Sequence, residues 1–160
     1  MISHISHLEC PQCRRKHSAD SLTTFCVCGS TLFAKYDINS IQEEIESGGF
    51  PSDLNSMWRY SQLLPVKSPS YIISLGEGWT PLLLSRQLGK HMGLRMLRIK
   101  DEAQNPTGSF KDRGLSVAVS KNLEFDFPGT CGKSDPSQGV PVYAGGGQIR
   151  FRKIRLGGVG

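Results

Sequence analysis

No run of apolar residues in the 160-residue chain approaches the ~20 that a bilayer-crossing helix needs. The first nine residues also lack the charged start and apolar stretch of a signal peptide. The expected location is therefore the cytoplasm. Hydrophobic residues make up 38% of the chain and aromatics 8%, enough for one modest core. Most of the chain also lacks a strong charge of one sign. Of the formal +5, residues 126–160 carry +3, which leaves the body nearly balanced at +2. That argues against nucleic-acid binding by the body, because a local basic cluster rather than a total makes such a footprint. Cysteines are few, five in all, and in a reducing compartment they read as metal ligands or free thiols before disulfides.

Four of the five stand at Cys10, Cys13, Cys26 and Cys28, in the pattern C-x2-C-x12-C-x-C. Two close pairs across a loop can bring four thiolates to the corners of a tetrahedron, the closed geometry of structural zinc. Gly29, after the last cysteine, suits a tight metal knuckle. Residues 1–36 thus read as a zinc-ribbon-like module. The second pair has one intervening residue rather than two, which strains that knuckle and makes His17, then His4 and His7, substitutes for one thiolate. Free cysteines or a redox pair are the alternatives. Arg14, Arg15 and Lys16 put three charges in the ribbon loop, where a solvated face is the simpler account than nucleic-acid contact.

Further along, Asp37 or Asn39 can cap a helix with Ile38, Ile41 and Ile45 on one side, ended by Gly48 and Gly49. Glu43, Glu44 and Glu46 read as its solubilising face. Residues 57–64 (MWRYSQLL) predict a second short helix closed by Pro65. Its Trp58 and Tyr60 suit core or interdomain packing, since no basic run interleaves them as base stacking would require. Pro69 and the serines of residues 66–74 read as a connector. Leu84, Leu88 and Met92 keep four-residue spacing up to Gly93 and predict a helix of about three turns. His91 falls near its C-terminal end, where the helix dipole favours a cation. Leu94, Met96 and Ile99 then predict a short strand.

That strand runs into residues 100–114, KDEAQNPTGSFKDRG, which hold more small and charged residues than a packed core asks for. Pro106 fixes φ and Gly108 can take φ > 0, so the chain turns before Ser109. Ser109 can cap a helix with an apolar face of Leu115, Val119 and Leu123, which puts Lys111 in the first turn. The partial positive charge of a helix N-terminus disfavours an ammonium there. A neutral amine is the species that condenses with an aldehyde. An ordinary solvated lysine is the alternative. Helix, strand, turn and helix in this order fit an α/β fold with the reactive loop at the carboxyl end of a strand.

NPTGSFKDRG at residues 105–114 and GEGWTPL at residues 76–82 resemble two motifs that fold type II pyridoxal-phosphate (PLP) enzymes carry in this order. With KDE at residues 100–102, the resemblance is nearest to the threonine synthase family. TLFAKYD at residues 31–37 is similar to the segment that follows the zinc ribbon with which such chains often begin. The resemblance implies an α/β fold, an incomplete fold type II (tryptophan synthase β-like) body at residues 37–125 behind the ribbon. It implies that Lys111 holds PLP as a Schiff base, that Phe110 lies beside the ring, and that the GEGWTPL loop lies near the substrate. It also implies structural zinc on Cys10, Cys13, Cys26 and Cys28. The implied reaction converts O-phospho-L-homoserine and water to L-threonine and phosphate, in a homodimer when the enzyme is full-length.

After Phe125 the family pattern departs. A SAGNAG-like loop, a glycine-rich phosphate cradle and a residue facing the pyridine nitrogen do not follow. A complete fold type II enzyme needs about two domains of roughly 100 to 200 residues each, so the chain is expected to be a piece of one, inactive alone. Residues 126–160 hold nine of the 18 glycines and three prolines, and read as a disordered basic tail or the product of a frameshift. The alternatives are another fold type II lyase or synthase, or a non-catalytic zinc-ribbon module that binds nucleic acid or protein.

Overall fold

The computed structural model describes residues 2–125, 140–144 and 147–151. Strand β1 (Ile5–Glu9) is the centre of a three-stranded antiparallel sheet, flanked by β2 (Lys16–His17) and β3 (Phe33–Tyr36). Leu8 stands opposite His17 on one side and Ala34 on the other. The two loops between these strands carry the four cysteines. Helix α1 (Ile38–Gly48) starts where the sequence predicts, with the Asp37 carboxylate accepting from the Ser40 N–H, and Gly49 follows at φ 71°. Its apolar side is narrower than predicted, for Ile41 is buried while Ile38 is 59% exposed.

The core gathers Met57, Trp58, Val66 and Ile72, with Ile2, Leu64 and Val117 packed against it. Met57 and Trp58 come from a 3-10 turn, Met57–Leu63, rather than an α-helix, and Tyr60 breaks its regularity with φ −102° and ψ 30°. The predicted connector contributes core residues, since Val66, Ile72 and Ile73 are all buried. Pro69 opens the 3-10 turn Pro69–Tyr71, capped by Ser68, and that turn directs the flanking apolar residues inward.

Strand β4 (Leu82–Leu84) pairs antiparallel with β5 (Arg98–Lys100), from Leu82 opposite Lys100 to Leu84 opposite Arg98. The three-turn helix predicted from Leu84 is therefore replaced by a strand and a six-residue helix, α2 (Arg86–His91). Backbone bonds from Asp101 N–H to the Pro81 carbonyl (3.0 Å) and from Ser85 N–H to the Leu97 carbonyl (2.9 Å) close the β4–β5 pair at both ends. Gly89 lowers the helix propensity of what lies between. A 3-10 turn, Glu102–Gln104, leads into helix α3 (Lys111–Glu124).

The buried residues of α3 are Asp112, Ser116, Val119 and Ser120, a face rotated from the predicted Leu115, Val119 and Leu123. Ser116 donates to the Ile73 carbonyl (2.7 Å), and Ser120 accepts from the Ile73 N–H (2.9 Å). Small hydroxyl side chains let the helix lie against the backbone at Ile73, a contact that apolar spacing cannot signal. Strands β6 (Val140–Ala144) and β7 (Gly147–Phe151) pair antiparallel. These two strands fall within residues 126–160, where the sequence reads as a disordered tail, and the rest of that stretch lies outside the described residues. Every strand pair among the described residues is antiparallel, in a mixed α/β chain. No described helix is long and apolar enough to cross a membrane.

Candidate active site and metal centre

Lys111 is the first residue of α3 and is exposed. The turn before it forms as Pro106 and Gly108 require: Gly108 takes φ 74° and its N–H donates to the Asn105 carbonyl (2.8 Å). Ser109 Oγ accepts from the Lys111 N–H (3.3 Å), but the cap position falls on Phe110, which makes no side-chain cap bond, so the predicted Ser109 cap does not form. Asp112 is buried and accepts from the Thr107 N–H (2.8 Å) and the Thr107 hydroxyl, which cinches the turn to the helix. Among the described residues the Lys111 amine has no hydrogen bond or ion pair. Its neighbour is the Phe110 ring, 62% exposed, with Nζ 5.1 Å from the centroid.

Arg113 turns inward. Its Nε and Nη2 donate to Glu102 Oε2 (2.7 Å) and Oε1 (2.8 Å). Thr80 donates to Glu102 Oε1 (2.6 Å) and Asn105 Nδ2 to Oε2 (3.0 Å). Asn105 Oδ1 in turn accepts from the Gly78 N–H (3.0 Å), and Lys100 Nζ donates to the Thr80 carbonyl. One carboxylate thus joins KDE, GEGWTPL and NPTGSFKDRG. Its hydrogen bonds from Arg113, then from Thr80, hold the Glu102 carboxyl down at about 2.

Glu77 is only 1% exposed. It accepts from Trp58 Nε1 (2.9 Å), the Ser74 hydroxyl (3.0 Å) and the Leu75 N–H (2.8 Å). A residue expected in a substrate loop is therefore that loop's interior anchor, and only its position between two glycines hinted at a special role. A Cβ on Gly78, which has φ 95°, would stand 2.6 Å from Met57 N and 3.1 Å from Arg113 Nη1, so glycine alone lets the loop pass there. Trp79 follows at φ 53°. The open cavity beside α2, lined by Leu84, Arg86, Lys90, Leu94 and Met96 among others, includes no residue of either motif.

The four sulfurs of Cys10, Cys13, Cys26 and Cys28 lie within 4.8 Å of one another. Cys10 and Cys28 are 3.5 Å apart at Sγ, Cys13 and Cys26 3.4 Å. These separations far exceed an S–S bond of about 2.05 Å, and all four thiols are free. They bracket the ~3.8 Å edge of a tetrahedron built on Zn–S bonds of about 2.3 Å. The tight second pair is accommodated at the tip of a small hairpin, where Cys26 N–H bonds the Ser30 carbonyl (2.9 Å) and Gly29, at φ 84°, bonds the Cys26 carbonyl (2.8 Å). The histidine substitutes are not in the cluster. His4 faces Glu44 at 2.5 Å, and His7 lies 3.9 Å from Glu9. The Cys13 N–H, first among several donors, draws the Cys10 thiol down to about 6. Against the Arg15 N–H, which lowers it, the thiols of Cys26 and Cys10 push Cys13 up to about 11. Thiols crowded in this way ionise together only with a cation among them, so the donor set fits a zinc ion.

Residues 73–140 match the family of pyridoxal-phosphate dependent enzymes, a span that runs past Phe125. The threonine synthase of Methanocaldococcus jannaschii is 35% identical over 137 residues, covering 84% of this chain and 34% of that protein. That of Methanosarcina acetivorans is 39% identical over 120 residues, 74% of this chain and 29% of the relative. That of Halalkalibacterium halodurans is 45% identical over 74 residues, 43% and 21% respectively. No solved structure matches the chain. The chain spans about a third of the length of the first two of these relatives. It therefore carries part of a pyridoxal-phosphate dependent enzyme domain behind a four-cysteine cluster, and is a homologue of threonine synthases over most of its own length.

Proposed function

We propose that the chain is the lysine-bearing part of a fold type II, threonine-synthase-type enzyme that converts O-phospho-L-homoserine and water to L-threonine and phosphate. The expected homodimer and cytoplasmic setting belong to the same reading, with turnover assigned to a chain of the relatives' full length. The observation that carries it is the turn that presents Lys111, pinned from both sides by Asp112 and by the Glu102–Arg113 pair, within residues 73–140 that match the pyridoxal-phosphate dependent enzymes. PLP, when bound, supplies an electron sink that makes the α and β protons of an amino acid acidic.

Lys111 Nζ would hold the cofactor's aldehyde carbon and, once displaced by the substrate amine, would take and return the protons at the α and β carbons. Phe110 offers a flat apolar face beside that amine for a ring to lie on. Glu102 and Arg113 touch no reacting atom, and they position the turn. Cys10, Cys13, Cys26 and Cys28 would hold zinc in a closed site with no open position, so its work is structural. Borohydride reduction of the chain mixed with PLP, followed by peptide mass mapping, tests the lysine assignment. A pyridoxyl adduct on Lys111 that Lys111→Ala abolishes is the expected result, and adduct formation unaffected by that substitution overturns it.

A further inference from the structure

Arg59, in the 3-10 turn Met57–Leu63, is held between two aromatic rings. Its guanidinium carbon lies 4.4 Å from the Trp79 ring centroid and 5.7 Å from that of Tyr60. Stacking on a ring fixes the plane of the fork and so the direction in which its N–H groups point. Among the described residues the Arg59 side chain makes no hydrogen bond and no ion pair, and its Nε is buried without a partner. A half-buried cation with an orphaned donor is disfavoured unless something answers it. Arg113, in the same neighbourhood, has both oxygens of Glu102. Arg59 has no such acid.

Its placement is also specific. Trp79 follows Gly78, whose backbone is wedged between Met57 and Arg113 and whose N–H goes to Asn105 on the lysine turn. Trp79 holds φ 53°, a conformation unusual for a bulky residue, and yet is 54% exposed. Burial of the ring does not explain that geometry.

We propose that Arg59, stacked on Trp79, is an oxyanion-binding residue that receives a phosphate monoester group on the same loop system that carries Lys111. The planar fork matches two phosphate oxygens at once. This deepens the function proposed above and rests on it for the source of the phosphate, which is then the substrate's rather than the cofactor's.

Calorimetric titration of the full chain with inorganic phosphate, at ionic strength held constant with sodium chloride, tests it. Saturable binding is expected for the unaltered chain. Arg59→Gln should weaken it about tenfold or more, the size of a charge-assisted hydrogen bond. Arg59→Lys, which keeps the charge and loses the fork, should fall between. Absence of saturable binding by the unaltered chain, or equal binding by Arg59→Gln, overturns the proposal. Should Arg59→Gln fail to fold, Trp79→Leu removes the stacking platform instead, and undiminished phosphate binding by that variant overturns the proposal equally. A second titration uses the chain with PLP reduced onto Lys111. Unchanged phosphate affinity supports a substrate phosphate, and loss of binding assigns the residue to the cofactor's phosphate and overturns the substrate assignment. A chain that binds phosphate through Arg59 but yields no adduct at Lys111 defeats the proposed function and leaves the anion site standing.

Discussion

Glu102 keeps its charge because Arg113 grips both of its oxygens while Thr80 and Asn105 donate to them as well. Its folded pKa, about 2, lies below the ordinary glutamate value of about 4.3. The carboxylate therefore stabilises the fold fully above the unfolded value and loses that contribution as pH falls toward the folded one. The melting-temperature gap between the unaltered chain and Glu102→Gln should hold steady near neutral pH and close between about pH 4.5 and about pH 2. A gap that stays constant across that range contradicts the pairing. Glu77 acts differently, as a buried acceptor for three donors. Glu77→Ala would leave the Ser74 hydroxyl and the Leu75 N–H unanswered in the interior and Trp58 Nε1 with the Ser116 hydroxyl alone, at a cost of about 2 kcal/mol or more in denaturant unfolding, and Glu77→Gln should cost less because one acceptor remains. The place of Lys111 in the first turn of α3 was legible from its turn residues alone, because Pro106 and Gly108 have local chemistry. Glu77, Arg59 and Arg113 were not, since a charge in a sequence does not reveal whether it points at water, a partner or a ring.

At the level of elements, α1 could be read from its cap and its glycine stop because both signals are local. Strand β4 could not, because three leucines suit a helix face and a short strand equally, and the choice was made by β5 sixteen residues further on. The face of α3 failed for another reason: two buried serines do the packing that periodicity assigns to leucines. Two substitutions separate these alternatives. Ser116→Ala removes the hydroxyl that donates to the Ile73 carbonyl and accepts from Trp58 Nε1 at 3.1 Å, and should cost about 1 to 2 kcal/mol. Leu115→Ala, on the half-buried side, should cost less than Ser116→Ala, well short of the roughly 2 to 5 kcal/mol of a core leucine deletion. The reverse ranking in chemical denaturation would restore the leucine face. Gly78→Ala tests the loop that meets this helix. With a Cβ 2.6 Å from a backbone nitrogen and φ at 95°, it should destabilise the fold by more than about 1 kcal/mol.

Over the whole molecule, the order of the two motifs and the cysteine spacing were readable, whereas the way the cysteine module meets the body was not. That junction depends on backbone bonds: Ile2 N–H to the Lys67 carbonyl and His4 N–H to the Gln62 carbonyl, each 3.1 Å. Lys67 then pairs with Asp20 of the cysteine loop, while Glu124 at the end of α3 accepts from the backbone N–H of Lys67 (2.9 Å) and Ser68 (3.0 Å). The segment at Lys67 is thus held from two directions, and β1 is anchored to the body without help from the thiols. Among the described residues, the cysteine loops share in this anchoring only through the Asp20–Lys67 ion pair. Cys10, Ala19 and Cys26 are the buried apolar residues they contribute, too few to order a loop unless a metal supplies the missing core. A strong chelator should therefore loosen the module locally rather than unfold the chain. In hydrogen exchange, the amides of Cys26 and Gly29 should lose protection while that of Ile73, bonded to Ser120, keeps it. Retained protection at Cys26 and Gly29 would deny the metal its structural role, and loss at Ile73 as well would show that the body depends on the cysteine loops after all.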